Sequence, residues 1–168
     1  MSAVAKPQFA LRPCLPQDAP LLAEILRASV EELTEDDYNP AQQEAWAATA
    51  DDLEAFAARL AKHLTLIATM EGSAVGFISL DAPTEIGLFY VHPAVARQGV
   101  GKLLYDAVEK LSKARGTPHL SVDASDTARE FFERKGFSAE QRNTVSAGNE
   151  WLSNTTMKKK LAANEDQR

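Results

Sequence analysis

A short glycine-containing turn, from Gln98 to Lys102, has the residue types in this sequence that are best suited to binding a phosphate group. Gly99 and Gly101 lack a Cβ atom, so the backbone can adopt positive φ there and approach a ligand closely. The apolar residues that follow recur at helical spacing and predict a helix, whose first N–H groups have no intrahelical acceptor. Such a helix start favours an anion. The turn therefore predicts a site for a phosphate or diphosphate, although two glycines are also typical of an ordinary loop.

The residues before the turn predict a buried strand that leads into it. The run from Ile86 to Val91 is almost wholly apolar or aromatic, as is typical of a strand covered on both faces. Because side chains alternate along a strand, we expect Phe89 and Val91 to share the core-facing side and Tyr90 to point towards a cleft. A tyrosine packed against its neighbours in the sheet is the alternative interpretation of Tyr90.

This strand, turn and helix resemble motif A of the GCN5-related N-acetyltransferases, a family abbreviated GNAT. The family pattern is [Q/R]xxGx[G/A], and the segment from Ala96 to Gly101 matches both glycines but begins with Ala in place of Gln or Arg. A second segment, from Ala128 to Phe137, is similar to the ending of the family's motif B, A-x-x-[FY]-[YF]-x-x-x-G-F. The two motifs occur in the family's order, and the resemblance covers residues 9–161.

The resemblance implies both a fold and an acyl donor. The fold is a single α/β domain over residues 1–168, with a mixed, mostly antiparallel central sheet flanked by helices and a splay between its fourth and fifth strands. The donor is acetyl-CoA, whose pantetheine would insert into the splay and whose pyrophosphate would lie on the backbone of motif A; no metal is expected. The cofactor-binding residues that the resemblance implies are Phe89, Tyr90, Val91, Arg97, Gln98, Gly99, Val100, Gly101, Lys102, Ser125 and Phe132.

The implied reaction transfers an acetyl group to a primary amine of a small molecule or peptide, by direct attack in a ternary complex. Direct attack is favoured because the single cysteine, Cys14, lies at the first predicted strand and is not placed to form an acyl-enzyme. A non-catalytic acyl-CoA-binding or regulatory module with the same fold is the alternative. A nucleotide-binding enzyme is a third interpretation, but neither GxxxxGK[ST] nor an opening GxGxxG is present. Homodimers are common in the family, and the oligomeric state stays open.

Acyl transfer needs a neutral amine, so a general base, or a water that leads to one, is expected. If the amine resembles that of lysine, whose pKa is about 10.4, its deprotonation at pH 7 costs roughly 4–5 kcal/mol. Glu85 is the first candidate base, because it precedes Gly99 by fourteen residues, as the base glutamate does in the histone-acetylating branch of the family. A solvated turn residue is the alternative for Glu85. Asp123, at the end of the fifth predicted strand, is the second candidate.

The general acid of the family is missing from its usual position. Many members have a tyrosine at the second aromatic position of motif B, where this sequence has Phe132, which is expected to pack beside the pantetheine. Ser125 likewise replaces the family's asparagine, three residues before the motif alanine. Tyr90, Ser125, a water or the proton leaving the amine are the alternatives for protonating the thiolate. Because the pKa of a thiol is about 8.5, coenzyme A leaves fairly readily without a strong acid.

Composition narrows the function classes further. A length of 168 residues suits one domain, and a net charge of −6 argues against a nucleic-acid partner. The single cysteine suits a reducing compartment. No signal segment and no apolar run near ~18 residues is present, so a cytoplasmic protein without a membrane partner is expected. Five carboxylates between Glu31 and Asp37 would attract a cationic amine, or else form a solvated helix end.

Periodicity and turn residues predict the elements along the chain. Strands are predicted over residues 8–13, 64–70, 74–81, 85–91, 119–123, 137–145 and 150–161. Helices are predicted over residues 17–37, 39–46, 51–62, 100–114 and 126–135. Residues 1–6 and 162–168 are expected to be loose ends.

Overall fold

Seven strands form a single sheet in the computed structural model, which describes residues 8–161. The strands are β1 (Phe9–Pro13), β2 (Leu64–Met70), β3 (Ser73–Ala82), β4 (Glu85–Val91), β5 (His119–Ser125), β6 (Ser138–Ala147) and β7 (Glu150–Lys160). Their order across the sheet is β1-β2-β3-β4-β5-β7-β6, and the neighbours are antiparallel except for β4 and β5. The mixed, mostly antiparallel sheet predicted from the sequence is confirmed. The predicted loose ends, 1–6 and 162–168, lie outside the described residues.

Helices cover both faces of the sheet. The α-helices are α1 (Ala19–Leu33), α2 (Pro40–Ala47), α3 (Leu53–Leu60), α4 (Val100–Ala114) and α5 (Arg129–Arg134). On one face, Leu26 of α1 and Phe56 of α3 pack in the same core as Phe77 of β3. On the other face, Leu104 of α4 and Phe132 of α5 belong to a second core. Within residues 8–161, no helix is both long enough and apolar enough to cross a membrane.

The first helix ends earlier than predicted. α1 stops at Leu33, and residues 34–37 form a turn in place of a helical continuation. The side chains of Thr34 and Gln43 both donate hydrogen bonds to the Val30 carbonyl, at 2.6 and 3.1 Å. Because these side chains satisfy a carbonyl at the helix end, the backbone turns away without leaving that group unpaired.

β4 and β5 separate soon after they begin. Among the described residues, they are paired only through Glu85 with Ser121 and Ile86 with Val122. Beyond these pairs the C-terminal half of β4 borders an opening, while β5 stays paired with β7 along its whole length. The splay predicted between the fourth and fifth strands is therefore present.

A bulge in β4 lies at the start of this opening. The register of β3 and β4 shifts next to Leu80, which pairs with Ile86, so β4 carries an extra residue there. As a result Ile86 and Leu88, although two positions apart, are buried in the cores on opposite faces. The Leu88 N–H donates a hydrogen bond to the buried Ser79 Oγ at 2.8 Å, and this side chain replaces a backbone partner.

Candidate active site

The separation of β4 and β5 leaves an open cavity of about 410 Å³ beside β4. Its walls contain residues 87–90 of β4 and 122–125 of β5, with side chains from α1, α2, α3 and the hairpin of β6 and β7. Of the lining residues in the described part of the chain, only Arg59 and Asp123 carry a charge. A mostly neutral cavity with a few polar groups, next to a free strand edge, is typical of a site for a small ligand.

The glycine turn leads from β4 into α4 and presents N–H groups without backbone partners. Gly99 has a φ of 88°, and Arg97, although it is not a glycine, has a φ of 64°. The first backbone hydrogen bond into α4 runs from the Leu103 N–H to the Gly99 carbonyl. No N–H group from Gly99 to Lys102 donates to a backbone oxygen within the described residues. These donors at a helix N-terminus fit a phosphate or diphosphate.

Gly101 lies where α4 comes close to β4. A Cβ atom at this position would be 3.5 Å from Phe89 Cζ and 3.7 Å from Phe131 Cε2. These are ordinary contact distances, so the space beside Gly101 accepts one methyl group, but a larger side chain would displace the aromatic rings. The aromatic rings of Phe89 and Phe131 therefore limit the size of the side chain at this position, which lies in the first turn of α4.

The edge of β4 that faces the opening also presents backbone donors. The N–H of Leu88 points towards β3, and the N–H of His92 donates to Val75 O on the same side at 2.8 Å. Because successive N–H groups of a strand point to opposite edges, those of Phe89 and Val91 point into the opening. This edge is free to pair with an extended ligand.

Aromatic rings from β4 and α5 close one side of the cavity. The Phe89 ring lies 5.3 Å from that of Phe131 and 5.8 Å from that of Phe132. Phe132 lines the cavity but is only 1% exposed, because Tyr105 and Phe137 also pack against it. Because Phe131 and Phe132 have no hydroxyl group, α5 supplies no aromatic proton donor to the cavity. The packing of Phe132 beside pantetheine stays a prediction.

Tyr90 lines the cavity, as expected for a side chain that points towards a cleft. It also packs against its neighbours in the sheet, as the alternative interpretation proposed. Its side chain lies on the face covered by α1 and α3, with its ring 5.7 Å from that of Phe77. The Tyr90 hydroxyl accepts a hydrogen bond from Trp46 Nε1 at 2.9 Å. Burial raises the pKa of Tyr90, and the hydrogen bond from Trp46 and the charge of Arg59 partly offset that rise. The phenol therefore keeps its proton at neutral pH.

The two candidate bases lie in different surroundings. Asp123 lines the cavity, and its Oδ1 accepts a hydrogen bond from Thr156 Oγ1 at 2.6 Å. Glu85 is exposed at the start of β4, before the bulge, and is not among the residues that line the cavity. The structure thus brings Asp123 to the cavity together with Tyr90, and the role of Glu85 stays a prediction.

Ser125 ends β5 and lines the cavity. Its Oγ accepts a hydrogen bond from the Ala128 N–H at 3.1 Å. Residues 126–128 form a turn that this bond stabilises, so α5 begins at Arg129, later than predicted. The hydroxyl thus helps to shape the start of motif B.

Tyr38 is a cavity residue that sequence analysis missed. Its hydroxyl donates a hydrogen bond to Ser153 O at 2.6 Å and accepts one from the Asp126 N–H at 2.9 Å. These bonds tie the turn after α1 to the start of motif B and to β7. The residue stands alone in a polar segment, so no local pattern marks it.

Arg59 and Asp81 form a second feature that sequence analysis missed. Arg59 Nη2 donates to Asp81 Oδ2 at 3.2 Å, and the arginine lines the cavity. The two residues belong to α3 and β3, so no local spacing relates them. The signal that points to Asp81 is a carboxylate at the end of an otherwise apolar predicted strand.

The acidic segment contributes only uncharged residues to the lining of the cavity. Leu33 and Thr34 line the cavity, whereas the five carboxylates between Glu31 and Asp37 do not. Asp37 accepts a hydrogen bond from Thr127 Oγ1 at 2.8 Å, which links the segment to the turn before α5. The attraction of a cationic amine by this segment stays a prediction.

A family model described as an acetyltransferase (GNAT) domain matches residues 34–161. The chain belongs to the GNAT family. The family and the enzyme class predicted from the two motifs are therefore confirmed, and this GNAT protein is an acyltransferase that transfers acetyl groups.

Three similar proteins illustrate the relationship. The uncharacterized N-acetyltransferase YafP of Escherichia coli (strain K12) is 33% identical over 145 residues, which cover 86% of this chain and 91% of YafP. A GCN5-related N-acetyltransferase from Rhodopseudomonas palustris, described as Aminotransferase, Class-II, is 55% identical and has a TM-score of 0.89, with 96% of this chain and 99% of that chain covered. The PaiA N-acetyltransferase of Thermoplasma acidophilum, solved in complex with coenzyme A, has a TM-score of 0.73 at 22% identity, with 91% and 99% covered. At that identity, the likeness to PaiA is one of fold alone.

Proposed function

We propose that this GNAT acetyltransferase moves an acetyl group from acetyl-CoA to a primary amine, by direct attack in a ternary complex. The observation that carries the proposal is that the unpaired N–H groups after Gln98, the free edge of β4 and the cavity lie next to one another. Such an arrangement suits a donor with a diphosphate at one end and an extended, amide-containing arm. The fold shared with PaiA, which binds coenzyme A, supports this donor.

Backbone groups would hold most of the donor. The N–H groups from Gly99 to Lys102 would bind its pyrophosphate, with the charge of Arg97 nearby. Lys102 Nζ is already paired with Asp106 Oδ2 at 2.7 Å, so we assign Lys102 a backbone contact. The N–H groups of Phe89 and Val91 would bind the pantetheine arm, and one of them would stabilise the developing oxyanion.

The reaction forms a C–N bond between the amine and the carbonyl carbon and breaks the C–S bond of the thioester. The amine gives up one proton and the departing sulfur takes up one, so the chain needs a proton acceptor and a proton donor. Asp123 is favoured as the proton acceptor because it lines the cavity. Glu85 is retained as a candidate for the same role because motif spacing predicts it.

Tyr90 is our candidate for the proton donor. Its oxygen accepts a bond from Trp46, and its own hydroxyl proton has no acceptor among the described side chains. A hydroxyl fixed from one side and free on the other can donate into the cavity. Burial raises the pKa of Tyr90, so the donating form is present at neutral pH.

Direct attack is favoured over an acyl-enzyme by the surroundings of Cys14. Cys14 follows β1 and is not among the residues that line the cavity. Burial raises the pKa of its thiol, and the nearby charge of Asp18 raises it further. The reactive thiolate is therefore scarce at neutral pH.

Net charge and cysteine content bear on the class of acceptor and on the cellular compartment. A net charge of −6 disfavours nucleic acid as the acceptor, and the single cysteine suits a reducing compartment. We therefore place the enzyme in the cytoplasm, with a small-molecule or peptide amine as acceptor.

A non-catalytic acyl-CoA-binding module is the second candidate, because Phe132 stands where many members of the family have a proton-donating tyrosine. Release of thiol from acetyl-CoA, measured with polyamines, aminoglycosides, amino acids and basic peptides, separates the two functions. Mass spectrometry of the acceptor confirms each hit, and calorimetry gives the affinity for acetyl-CoA. Turnover with any amine supports the transferase. Tight binding without turnover supports the module, and absence of binding contradicts both.

A further inference from the structure

The two charged side chains of the cavity have opposite signs. Arg59 is at the C-terminal end of α3, and Asp123 is on β5. The other lining residues are neutral, and several of them, including Leu33, Trp46 and Leu152, are apolar. A cavity of this kind is complementary to a ligand that carries one negative and one positive group on an apolar body.

Arg59 retains donors that the protein does not use. One nitrogen, Nη2, donates to Asp81 Oδ2 at 3.2 Å, and the side chain is 47% exposed. A guanidinium carries five N–H groups in a planar fork, and within residues 8–161 the other groups of Arg59 have no side-chain or carbonyl acceptor. Such a fork matches a carboxylate geometrically.

Asp81 fixes the position of this guanidinium. Its carboxylate lies directly over Gly87, where a Cβ atom would be only 2.4 Å from Asp81 Cγ and both oxygens. Gly87 itself lines the cavity at the β4 bulge. Asp81 Oδ1 is buried and has no hydrogen-bond partner among the described residues, an arrangement that is costly and rare in folded proteins. Asp81 is thus a positioning residue that directs Arg59 to the cavity, and Gly87 leaves it the space.

Asp123 lines the same cavity as Arg59 and lies across the start of the splay from Gly87. It follows Val122, which forms the last pair with Ile86, and Gly87 is the next residue of β4, so Gly87 and Asp123 lie at the same level. Val122 and Ala124 face the core beneath α4, so Asp123 projects from the opposite face, as Asp81 does. Asp123 Oδ1 accepts a bond from Thr156, whereas Oδ2 has no protein donor among the described residues.

We propose that the acceptor is an amino acid with an apolar side chain, whose carboxylate binds Arg59 and whose amino group binds Asp123. This inference rests on the proposed transfer to an amine and names the class of acceptor. The amino group would donate to Asp123, and the apolar side chain would contact Trp46 and Leu152. The ammonium gives one proton to this carboxylate before attack. The second proton leaves the nitrogen after the C–N bond forms and balances the proton that the departing sulfur takes up from Tyr90.

Matched acceptors test the inference. Initial rates of thiol release are measured with L-leucine, L-leucinamide and isoamylamine, and with L-phenylalanine and phenethylamine. We expect kcat/KM for each amino acid to exceed that of its analogues without a carboxylate at least about tenfold. These analogues, the amide and the decarboxylated amines, cannot form the charge-assisted hydrogen bonds to Arg59. Arg59→Gln should remove this preference and Arg59→Lys should restore part of it. Equal or higher rates with the decarboxylated amines would overturn the inference.

Control variants separate recognition from folding. Arg27 is 46% exposed and is paired with Asp51, as Arg59 is with Asp81, but it does not line the cavity. Arg27→Gln should therefore leave the preference unchanged. If Arg59→Gln unfolds because Asp81 loses its partner, the double variant Arg59→Gln, Asp81→Asn removes both charges and is assayed instead. Calorimetry with acetyl-CoA should give the wild-type affinity for each folded variant.

Direct binding distinguishes a wrong acceptor class from a wrong function. L-leucine and isoamylamine are titrated calorimetrically into the wild-type protein saturated with coenzyme A. If no amine is acetylated but leucine binds more tightly than isoamylamine, the proposed transfer fails while the recognition of an amino acid stands. If neither leucine nor phenylalanine binds more tightly than its decarboxylated partner, the inference fails whatever the turnover.

Discussion

Tyr90 accepts a hydrogen bond from the indole nitrogen of Trp46 at 2.9 Å, although the residues are 44 positions apart and lie in a strand and a helix. The indole nitrogen is only a donor, so this bond uses a lone pair of the phenol oxygen and leaves its proton available. The rings also pack edge to face, 6.3 Å apart. The contact holds the Tyr90 hydroxyl at the wall of the cavity and leaves its proton unused.

Replacing Tyr90 by phenylalanine tests this role. Tyr90→Phe keeps the ring and removes the proton, and we expect kcat to fall about tenfold to hundredfold, at the low end of general acid catalysis because a thiolate leaves readily. The affinity for acetyl-CoA, measured by calorimetry, should not change. Tyr105→Phe is the matched control, since its hydroxyl bonds Glu109 at 3.0 Å and does not line the cavity. An unchanged kcat in Tyr90→Phe would remove the residue from the mechanism.

The pH dependence of the same variant follows from the direction of the pKa shift. Burial raises the pKa of Tyr90, so the protonated, donating form persists to a higher pH than for a tyrosine in water, whose pKa is about 10. The ratio of wild-type to Tyr90→Phe kcat should therefore stay constant from about pH 7 to pH 9.5. A ratio that falls within this interval would show that the phenol loses its proton early, and would contradict the assignment.

A comparison of Asp123→Asn with Glu85→Gln decides between the candidate bases. Asp123 lines the cavity and Glu85 does not, so we expect the larger loss of kcat/KM in Asp123→Asn, about a hundredfold for a lost general base. The loss should be greatest at low pH, where few acceptor amines are neutral. Both variants should bind acetyl-CoA as the wild type does. A larger loss in Glu85→Gln would restore the assignment based on motif spacing.

Local patterns in the sequence predict the strand that ends at Val91, the glycine turn and α4, because each depends on residues close together in the chain. The pairs Trp46–Tyr90 and Arg59–Asp81 depend on helices and strands that meet only in the folded domain. The β4 bulge likewise depends on the pairing of two strands. The residues of the proposed donor site can thus largely be predicted from the sequence, as can Asp123 and Tyr90, whereas the contacts that Tyr90 and Arg59 make become visible only in the structure.

The space at Gly101 gives a graded test of the donor site. Gly101→Ala places a methyl group at ordinary contact distances from Phe89 and Phe131, so acetyl-CoA affinity should change little. The larger side chain in Gly101→Val would displace these rings. Such overpacking typically lowers the free energy of unfolding by about 1–3 kcal/mol. We expect the strain to move the turn and to weaken acetyl-CoA binding about tenfold or more, measured by calorimetry. Wild-type affinity in Gly101→Val would show that the turn does not hold the donor.

The bond between Ser79 and Leu88 should connect stability to catalysis. Ser79→Ala leaves the Leu88 N–H buried without an acceptor, which should lower the free energy of unfolding by about 1–3 kcal/mol. Because the bulge sets the direction of the next N–H groups of β4, kcat should fall as well, while the affinity for the pyrophosphate, measured with ADP, stays unchanged. Ser112→Ala, at a buried serine of α4 remote from the cavity, is the control and should leave kcat unaffected. A destabilised Ser79→Ala with wild-type kcat would show that the bulge supports the fold without orienting the groups that act on the acyl donor.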